Sequence, residues 1–235
     1  MDTLGSFQHF DELNLKPELL QGIAHYGLRN PARIHQVGLI PILKNRDALL
    51  QAPQGPPRMS CLSIGMLQRL DFTIEGLQGL IVVNNDEAGE EFLRILGSLG
   101  TFMNVKLHLC KDNDDVSLHP LKNNPPHILI GTVRPIFQII TQNLADNTYL
   151  RFFCTDDGER VVEEHVMEQA LIDSYWNFLP AEIQIVNLLT TMTVDAIGMA
   201  SRTMKLPMTI SAGDQEDDDD SDDDDQVVLT GRRSA

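Results

Sequence analysis

The chain has 235 residues, of which 42% are hydrophobic, and its formal net charge is −16. This length suits one domain of ordinary size with a full hydrophobic core. The sequence lacks an apolar run approaching the ~18 residues that a membrane span requires, and its first residues lack the basic and apolar regions of a secretory signal. Composition and charge thus predict a soluble globular protein and argue against membrane-spanning and secreted classes.

Short apolar runs alternate with amphipathic stretches between about Phe7 and Ile210. The segments Pro17–Tyr26 and Glu87–Leu99 carry apolar residues at helical spacing, which predicts amphipathic helices. Six apolar runs, most of them rich in β-branched or aromatic residues, are typical of buried strands: 48–50, 80–83, 105–109, 127–130, 152–154 and 183–186. Strands that alternate with helices predict a three-layer α/β domain with a mainly parallel sheet, assigned here to residues 1–212.

The end of the sequence is strongly acidic. Asp214–Asp225 holds ten acidic residues and no basic residue. Such a low-complexity run cannot bury apolar surface, so residues 213–235 are predicted to form a disordered tail. Up to Gly213 the chain still has 24 acidic and 16 basic residues. Because nucleic-acid binders rely on Lys and Arg to neutralise phosphates, this charge favours a protein partner and predicts weak or absent RNA binding.

The three cysteines are far apart in the sequence and form no CxxC pair. Cys61, Cys110 and Cys154 are therefore predicted to be reduced, buried thiols. This usage favours a cytoplasmic protein, with the nucleus as the alternative, and opposes a disulfide framework or a zinc site. The seven histidines also lack metal-ligand spacing.

Three stretches of the sequence carry a resemblance to a known family. They are Phe10–Ile23, Pro31–Gln36 and Ser63–Asp71. Together they resemble the N-terminal domain of DEAD-box RNA helicases of the initiation factor 4A type, and the resemblance runs from about Phe7 to Ile210. It implies a RecA-like fold of the P-loop NTPase type, an ATP site and an RNA-binding surface, since the family unwinds RNA with ATP hydrolysis.

The phosphate loop departs from the pattern of the family. A working loop reads Ala-x-x-Gly-x-Gly-Lys-Thr, and its N–H groups, lysine and hydroxyl hold the phosphates and Mg²⁺. The same position here reads Ala52-Pro53-Gln54-Gly55-Pro56-Pro57-Arg58-Met59. Pro56 and Pro57 lack a donor N–H. Arg58 replaces the lysine with a larger cation, and Met59 cannot ligate Mg²⁺. ATP and Mg²⁺ are therefore expected to bind at most weakly, and no cofactor is predicted.

The second motif of the family, Asp-Glu-Ala-Asp, falls on Asp156-Asp157-Gly158-Glu159. The resemblance implies that Asp156 stands at the Mg²⁺ position and that Asp157 replaces the glutamate that positions the attacking water. Asp157 is one methylene shorter than glutamate, so we expect this base to be misplaced. We interpret both residues as a vestigial catalytic pair, with a solvated acidic turn as the competing interpretation.

The adenine-reading motif is also altered. Phe10 matches the aromatic residue of the family, and His35 falls on the glutamine that reads adenine, with Gln36 beside it. With Gly55 and Arg58 these residues form the vestigial ATP site that the resemblance implies. The competing interpretation is that His35 is a partly buried helix histidine and that the loop at Gly55 has no phosphate role.

The positions that grip RNA in the family have become acidic. Asp86 lies in the segment that replaces the Pro-Thr-Arg-Glu-Leu motif, and Lys111–Asp114 replaces a glycine pair. Two further motifs keep only one residue each, Thr132 and Thr191. These changes agree with the charge of the chain in predicting little RNA affinity.

Two functions remain open on the sequence alone. The first is a non-catalytic protein-interaction module, a pseudohelicase that regulates or competes in translation or RNA metabolism. By resemblance its partner would be a helical-repeat translation factor of the 4G class. The second is a residual helicase-like protein that binds ATP and RNA weakly. We expect no helicase activity, because no counterpart of the second RecA-like domain follows, and an arginine finger contributes about 10³–10⁵ in rate. A duplicate without a selected function is a third interpretation.

Overall fold

The computed structural model describes residues 7–114, 121–158, 160 and 179–213, with the backbone of Val228–Leu229. After a 3₁₀ turn at Phe10–Leu13, the helices with described bounds are α1 Pro17–Tyr26, α2 Arg33–Leu43, α3 Pro56–Arg69, α4 Asp86–Leu99, α5 Val133–Thr141 and α6 Val194–Thr203. The strands are β1 Ala48–Gln51, β2 Gly79–Val82, β3 Leu107–Cys110, β4 Ile128–Gly131, β5 Phe152–Asp156, β6 Gln184–Leu189, β7 Met208–Ser211 and β8 Val228–Leu229.

The described strands form one sheet in the order β3-β4-β2-β5-β6-β1-β7-β8. Strands β1 to β7 pair in parallel, and β8 pairs antiparallel with β7. Among the described residues, helices α3, α4, α5 and α6 follow β1, β2, β4 and β6 and lead to the next strand of the chain. The predicted three-layer α/β fold with a mainly parallel sheet is therefore confirmed.

The sheet is covered on both faces, and its strands alternate between two hydrophobic clusters. Leu50 and Ile81 pack on one face with residues of α1 to α4. Their neighbours Leu49 and Leu80 pack on the other face with residues of α5 and α6. Side chains of a strand point alternately to opposite faces, so a strand buried on both sides is apolar without interruption. This explains why the sequence shows continuous apolar runs.

Side-chain caps start two helices just after the strands that precede them. The Asn85 carbonyl oxygen accepts from the Ala88 N–H at the start of α4. The Thr193 hydroxyl accepts from the Ala196 N–H at the start of α6. Such caps satisfy N–H groups that lack a partner inside the helix. Both helices therefore begin at the carboxyl edge of the sheet, where the candidate site lies.

Buried polar side chains hold the opposite edge of the sheet in register. Asp47 accepts from the backbone N–H groups of Ile185 and Lys205 at 2.8 and 2.6 Å. The Gln184 amide donates to the carbonyl of Arg46 at 2.7 Å. These bonds join the start of β1 to β6 and to the segment before β7. They help to set the register that pairs Gln51 with Leu189 at the other end.

Two further predictions concern the tail and the cysteines. Apart from Gly213 and the strand β8, the predicted disordered tail at 213–235 lies outside the described residues and stays a prediction. Cys61, Cys110 and Cys154 are all buried and lie outside any disulfide, as predicted. Burial raises the pKa of the Cys61 thiol far above its usual range. In the described ranges, no helix is long and apolar enough to cross a bilayer.

Candidate nucleotide site at the carboxyl edge of the sheet

Three strand ends and one helix N-terminus meet where the resemblance implies an ATP site. β1 runs into Ala52, β5 ends at Asp156, and Thr190 follows β6. These three strands are parallel neighbours, so their carboxyl ends share one edge of the sheet. The start of α3 joins them, because Arg58 and Thr190 are in contact although they are 132 residues apart in sequence.

The two prolines of the phosphate-loop position are the first two residues of α3. Gly55 precedes them with a φ of +134°, a backbone conformation that favours glycine. The first positions of a helix need no N–H partner inside it, so Pro56 and Pro57 are compatible with the helix. The same prolines remove two of the N–H groups that a helix N-terminus offers to an anion. The change is therefore tolerated by the fold and unfavourable for phosphate binding.

The Arg58 side chain is turned inward and is only 2% exposed. Its Nη2 lies 2.9 Å from Asp156 Oδ1 and 3.6 Å from Asp157 Oδ1. Its Nη1 donates to the Thr190 hydroxyl at 2.9 Å and to the Ala52 carbonyl at 3.3 Å. The guanidinium thus contacts both acidic residues of the second motif, and the sequence did not indicate this pairing.

Asp157 is the most enclosed acidic side chain of the site, with 1% exposure. Its carboxylate accepts from the Gln54 amide at 2.6 Å and from the Thr190 hydroxyl at 2.9 Å. Arg160 adds an ion pair at 3.3 Å from a largely exposed position. Asp157 adopts a φ of +59°, which aspartate tolerates better than most residues. The predicted alternative of a solvated turn is wrong for Asp156 and Asp157, since both are buried; Glu159 lies outside the described residues.

His35 is held by a buried chain of hydrogen bonds. Its Nδ1 accepts from the Ala32 N–H at 2.9 Å, so the ring proton is on Nε2, which donates to the Ser60 hydroxyl at 2.9 Å. Ser60 donates in turn to the Pro57 carbonyl at 3.0 Å. Burial lowers the pKa of His35 to about 4. The histidine is fully buried rather than partly buried, and it links α2 to the first turn of α3.

Phe10 and Gln36, the other residues assigned to the adenine-reading part of the ATP site, lie close to His35. Phe10 is buried, and its ring packs against His35 with the centroids 5.5 Å apart. It also packs against Phe7 at 5.8 Å. Gln36 is half-buried on α2, next to His35. The structure therefore places Phe10 and His35 together in the core, whereas Gly55 lies at the start of α3.

A cleft of about 340 Å³ opens beside the phosphate-loop position. Its lining comes from the start of α2, the loop before α3 and the end of β7: Ala32, Arg33, Ile34, Ala52, Pro53, Gln54, Pro57, Arg58, Ala212 and Gly213. Of the residues that the sequence assigned to the ATP site, Arg58 is the one in this lining. The cleft has the size of a small-molecule site.

The residues at this edge do not fit a Mg²⁺–triphosphate group. Met59 packs in the hydrophobic core at the position where the resemblance implies a hydroxyl. Asp156 is paired with a guanidinium. The prolines reduce the number of N–H donors, and a phosphate cradle is built from such donors. The two carboxylates at this edge are instead complementary to the Arg58 guanidinium of the chain itself.

The carboxyl ends of β2, β3 and β4 form the edge where the resemblance implies RNA contacts. Asp112 accepts from the Thr132 hydroxyl at 2.8 Å, and its N–H donates to Asp86 at 3.1 Å. Lys111 forms an ion pair with Glu90 at 2.5 Å. Thr132 therefore contacts a carboxylate of the chain itself, and Lys111, next to Asp112 in the sequence, is paired with an acidic side chain.

Two side chains of the site were missed on sequence alone. Gln54 and Thr190 both contact Asp157, yet neither matches a family motif. Thr191, the residue that does match, is exposed beside Thr190. A signal for Gln54 was available, since it lies inside the phosphate-loop segment. Thr190 lies beside Thr191 in a segment that aligns with a family motif, but its contacts with Arg58 and Asp157 come from strand ends that are distant in the sequence.

Comparisons with known proteins agree with this description. No family model matches the chain. The protein named ATP-dependent RNA helicase eIF4A of Neosartorya fischeri is 31% identical over 209 residues, 88% of this chain and 52% of that protein. Eukaryotic initiation factor 4A of Drosophila melanogaster is 28% identical over 211 residues, 89% of this chain and 52% of that protein.

Solved structures show the same fold. A DEAD box protein from Methanococcus jannaschii superposes with a TM-score of 0.82 at 18% identity, covering 88% of this chain and 56% of that chain. S. cerevisiae Dbp5 bound to RNA and ADP BeF3 gives a TM-score of 0.76 at 22% identity, covering 86% and 51%.

Sheet order and structural similarity define a RecA-like α/β domain. Sequence similarity is more specific, because the homologues that match 86–88% of the chain at 30–31% identity are named ATP-dependent RNA helicase eIF4A, a DEAD-box RNA helicase. The chain spans about half the length of the curated relatives it matches.

Proposed function

We propose that this chain is a non-catalytic, eIF4A-like domain that acts through protein binding, as a regulator or competitor in translation or RNA metabolism. The observation that carries the proposal is the buried contact of Arg58 with Asp156 and Asp157. By resemblance these two carboxylates would organise Mg²⁺ and the attacking water. With a guanidinium at 2.9 Å from Asp156, that carboxylate faces a cation of the chain itself.

The packing of the domain supports a role that depends on its fold. Both faces of the sheet are filled by continuous hydrophobic clusters, and the polar groups at the amino edge are bonded. A fold alone does not define a function, but a well-packed fold preserves its surface. Selection for a binding surface would keep the core and tolerate the changes at Pro57 and Arg58. The cytoplasm is the proposed location, with the nucleus as the alternative.

The proposed partner is a helical-repeat translation factor of the 4G class or a similar protein. Structures of yeast Dbp5, a protein with the same fold, include complexes with Gle1 and with Nup159. Protein partners are therefore known for this fold. The acidic body and the ten acidic residues of Asp214–Asp225 would favour a basic partner surface and speed association at low salt.

A pull-down from cell extract is expected to recover a translation factor of this class equally with and without ATP. Excess protein is expected to inhibit cap-dependent translation in extract, because it competes with the intact helicase for the same partner. A chain shortened to residues 1–212 is the matched control, and it should bind the same partner more slowly at low salt. Recovery of no translation factor, with no effect on translation, would contradict the proposal.

The cleft of about 340 Å³ beside Arg58 favours a second candidate function, weak binding of a nucleotide and RNA by a helicase-like protein. Calorimetric titrations with ATP·Mg²⁺ and with single-stranded RNA distinguish the two candidate functions. We expect no saturable heat from either ligand at physiological salt, because the first two residues of α3 lack N–H donors and the RNA edge is acidic. Submicromolar RNA binding that weakens with added salt, or saturable ATP binding, would favour the second function.

A further inference from the structure

Four oxygen atoms from three segments of the chain surround the Arg58 guanidinium. They are Asp156 Oδ1, Asp157 Oδ1, the Thr190 hydroxyl and the Ala52 carbonyl, at distances between 2.9 and 3.6 Å. We call this group the oxygen cage. Two carboxylates, a hydroxyl and a backbone carbonyl are the kinds of ligand that hard divalent cations such as Mg²⁺ and Ca²⁺ select.

The oxygen cage uses the two terminal nitrogens of the guanidinium and leaves a third donor unused. Arg58 is 2% exposed, and its Nε has no hydrogen-bond partner among the residues that the structure describes. Structural arginines in buried sites normally use their whole donor fork, because an unpaired buried donor is costly. The oxygen cage therefore holds a positively charged group, but it accepts hydrogen bonds from only some of the donors of that group.

We infer that Arg58 is the resident cation of this oxygen cage and takes the place of a divalent metal ion there. The guanidinium supplies a positive charge beside two buried carboxylates whether or not a ligand is bound, so folding of the domain does not depend on metal or nucleotide. The surface of a domain that is stabilised in this way would not change with the concentration of nucleotide. The inference rests on the proposed function in one respect only, that the unaltered chain does not use Mg²⁺ at this edge.

Removing the guanidinium tests the inference, because Asp156 and Asp157 would stay buried without the buried cation that contacts both, although Asp157 would keep Gln54, Thr190 and the exposed Arg160. Such a change is strongly destabilising unless another cation enters. The full chain with Arg58→Ala is expected to unfold at a temperature lower by roughly 6–20 °C than the unaltered chain in the presence of EDTA. Millimolar CaCl₂ or MgCl₂ should raise the unfolding temperature of Arg58→Ala, whereas it should leave that of the unaltered chain unchanged.

The matched control carries Arg58→Ala together with Asp156→Asn and Asp157→Asn. With both carboxylates removed, this variant should unfold at a higher temperature than Arg58→Ala alone and should not respond to either cation. Should Arg58→Ala fail to fold, folding of this control, read by circular dichroism, supports the inference, and its failure to fold overturns it.

Two results with folded Arg58→Ala would overturn the inference. One is an unfolding temperature equal to that of the unaltered chain. The other is a destabilised variant on which Ca²⁺ and Mg²⁺ have no effect beyond that of KCl at equal ionic strength. The readout is stability with the metal alone, so it is independent of the titrations with ATP·Mg²⁺ and RNA. Those titrations test the proposed function.

Discussion

Stability of this domain is expected to fall by about 3 kcal/mol between pH 7 and pH 4 through His35 alone. The pKa of His35 is lowered to about 4 in the folded protein, mainly because burial disfavours the imidazolium. The unfolded chain takes up the proton near pH 6.5, so it binds more protons than the folded chain between these values. This contribution to stability is therefore complete above about pH 6.5 and is lost as the pH falls to about 4.

The measurement is the free energy of unfolding by urea at a series of pH values, for the unaltered chain and for His35→Gln. Glutamine does not titrate, so the difference between the two curves isolates this histidine. Contributions of carboxylates and of His127, whose pKa burial also lowers, are present in both proteins and cancel. Parallel curves between pH 7 and pH 4 would show that His35 is not buried as described.

Gly22→Ala is expected to destabilise the domain by about 3 kcal/mol, which is the upper part of the usual range for overpacking. A Cβ atom at Gly22 would lie 1.8 Å from the Leu99 carbonyl oxygen, where α1 crosses the end of α4. The atom in the way belongs to the backbone, so a rotamer change cannot relieve the contact. The helices must move apart, and apolar contacts between them are lost.

Gly97→Ala is the matched control, because it makes the same chemical change inside a helix. Gly97 is exposed on α4, and a Cβ there meets nothing within 4 Å. Alanine favours the helix over glycine by roughly 0.5–1 kcal/mol, so this variant is expected to be more stable than the unaltered chain. Urea unfolding at neutral pH compares the two. Changes of the same sign at both positions would contradict the close packing of α1 on α4.

The fold could be predicted because it depends on local patterns. Apolar runs such as that of β2 mark strands buried on both faces, and the predicted helix at Pro17–Tyr26 has the bounds that the structure shows. The sequence predicted two strands less well. The strand predicted at 105–109 is shifted to Leu107–Cys110, and β7 at Met208–Ser211 was not predicted, because its residues are mixed in polarity.

The candidate site was predictable in position and unpredictable in its contacts. Motif order places Arg58 after β1 and Asp156 at the end of β5, and these assignments need only the linear sequence. The ion pair between them, and the Thr190 hydroxyl that contacts both Arg58 and Asp157, depend on the pairing of β1, β5 and β6. Sequence patterns report which face a residue prefers, whereas the partner of a buried charge is decided by the register of strands that are distant in the chain.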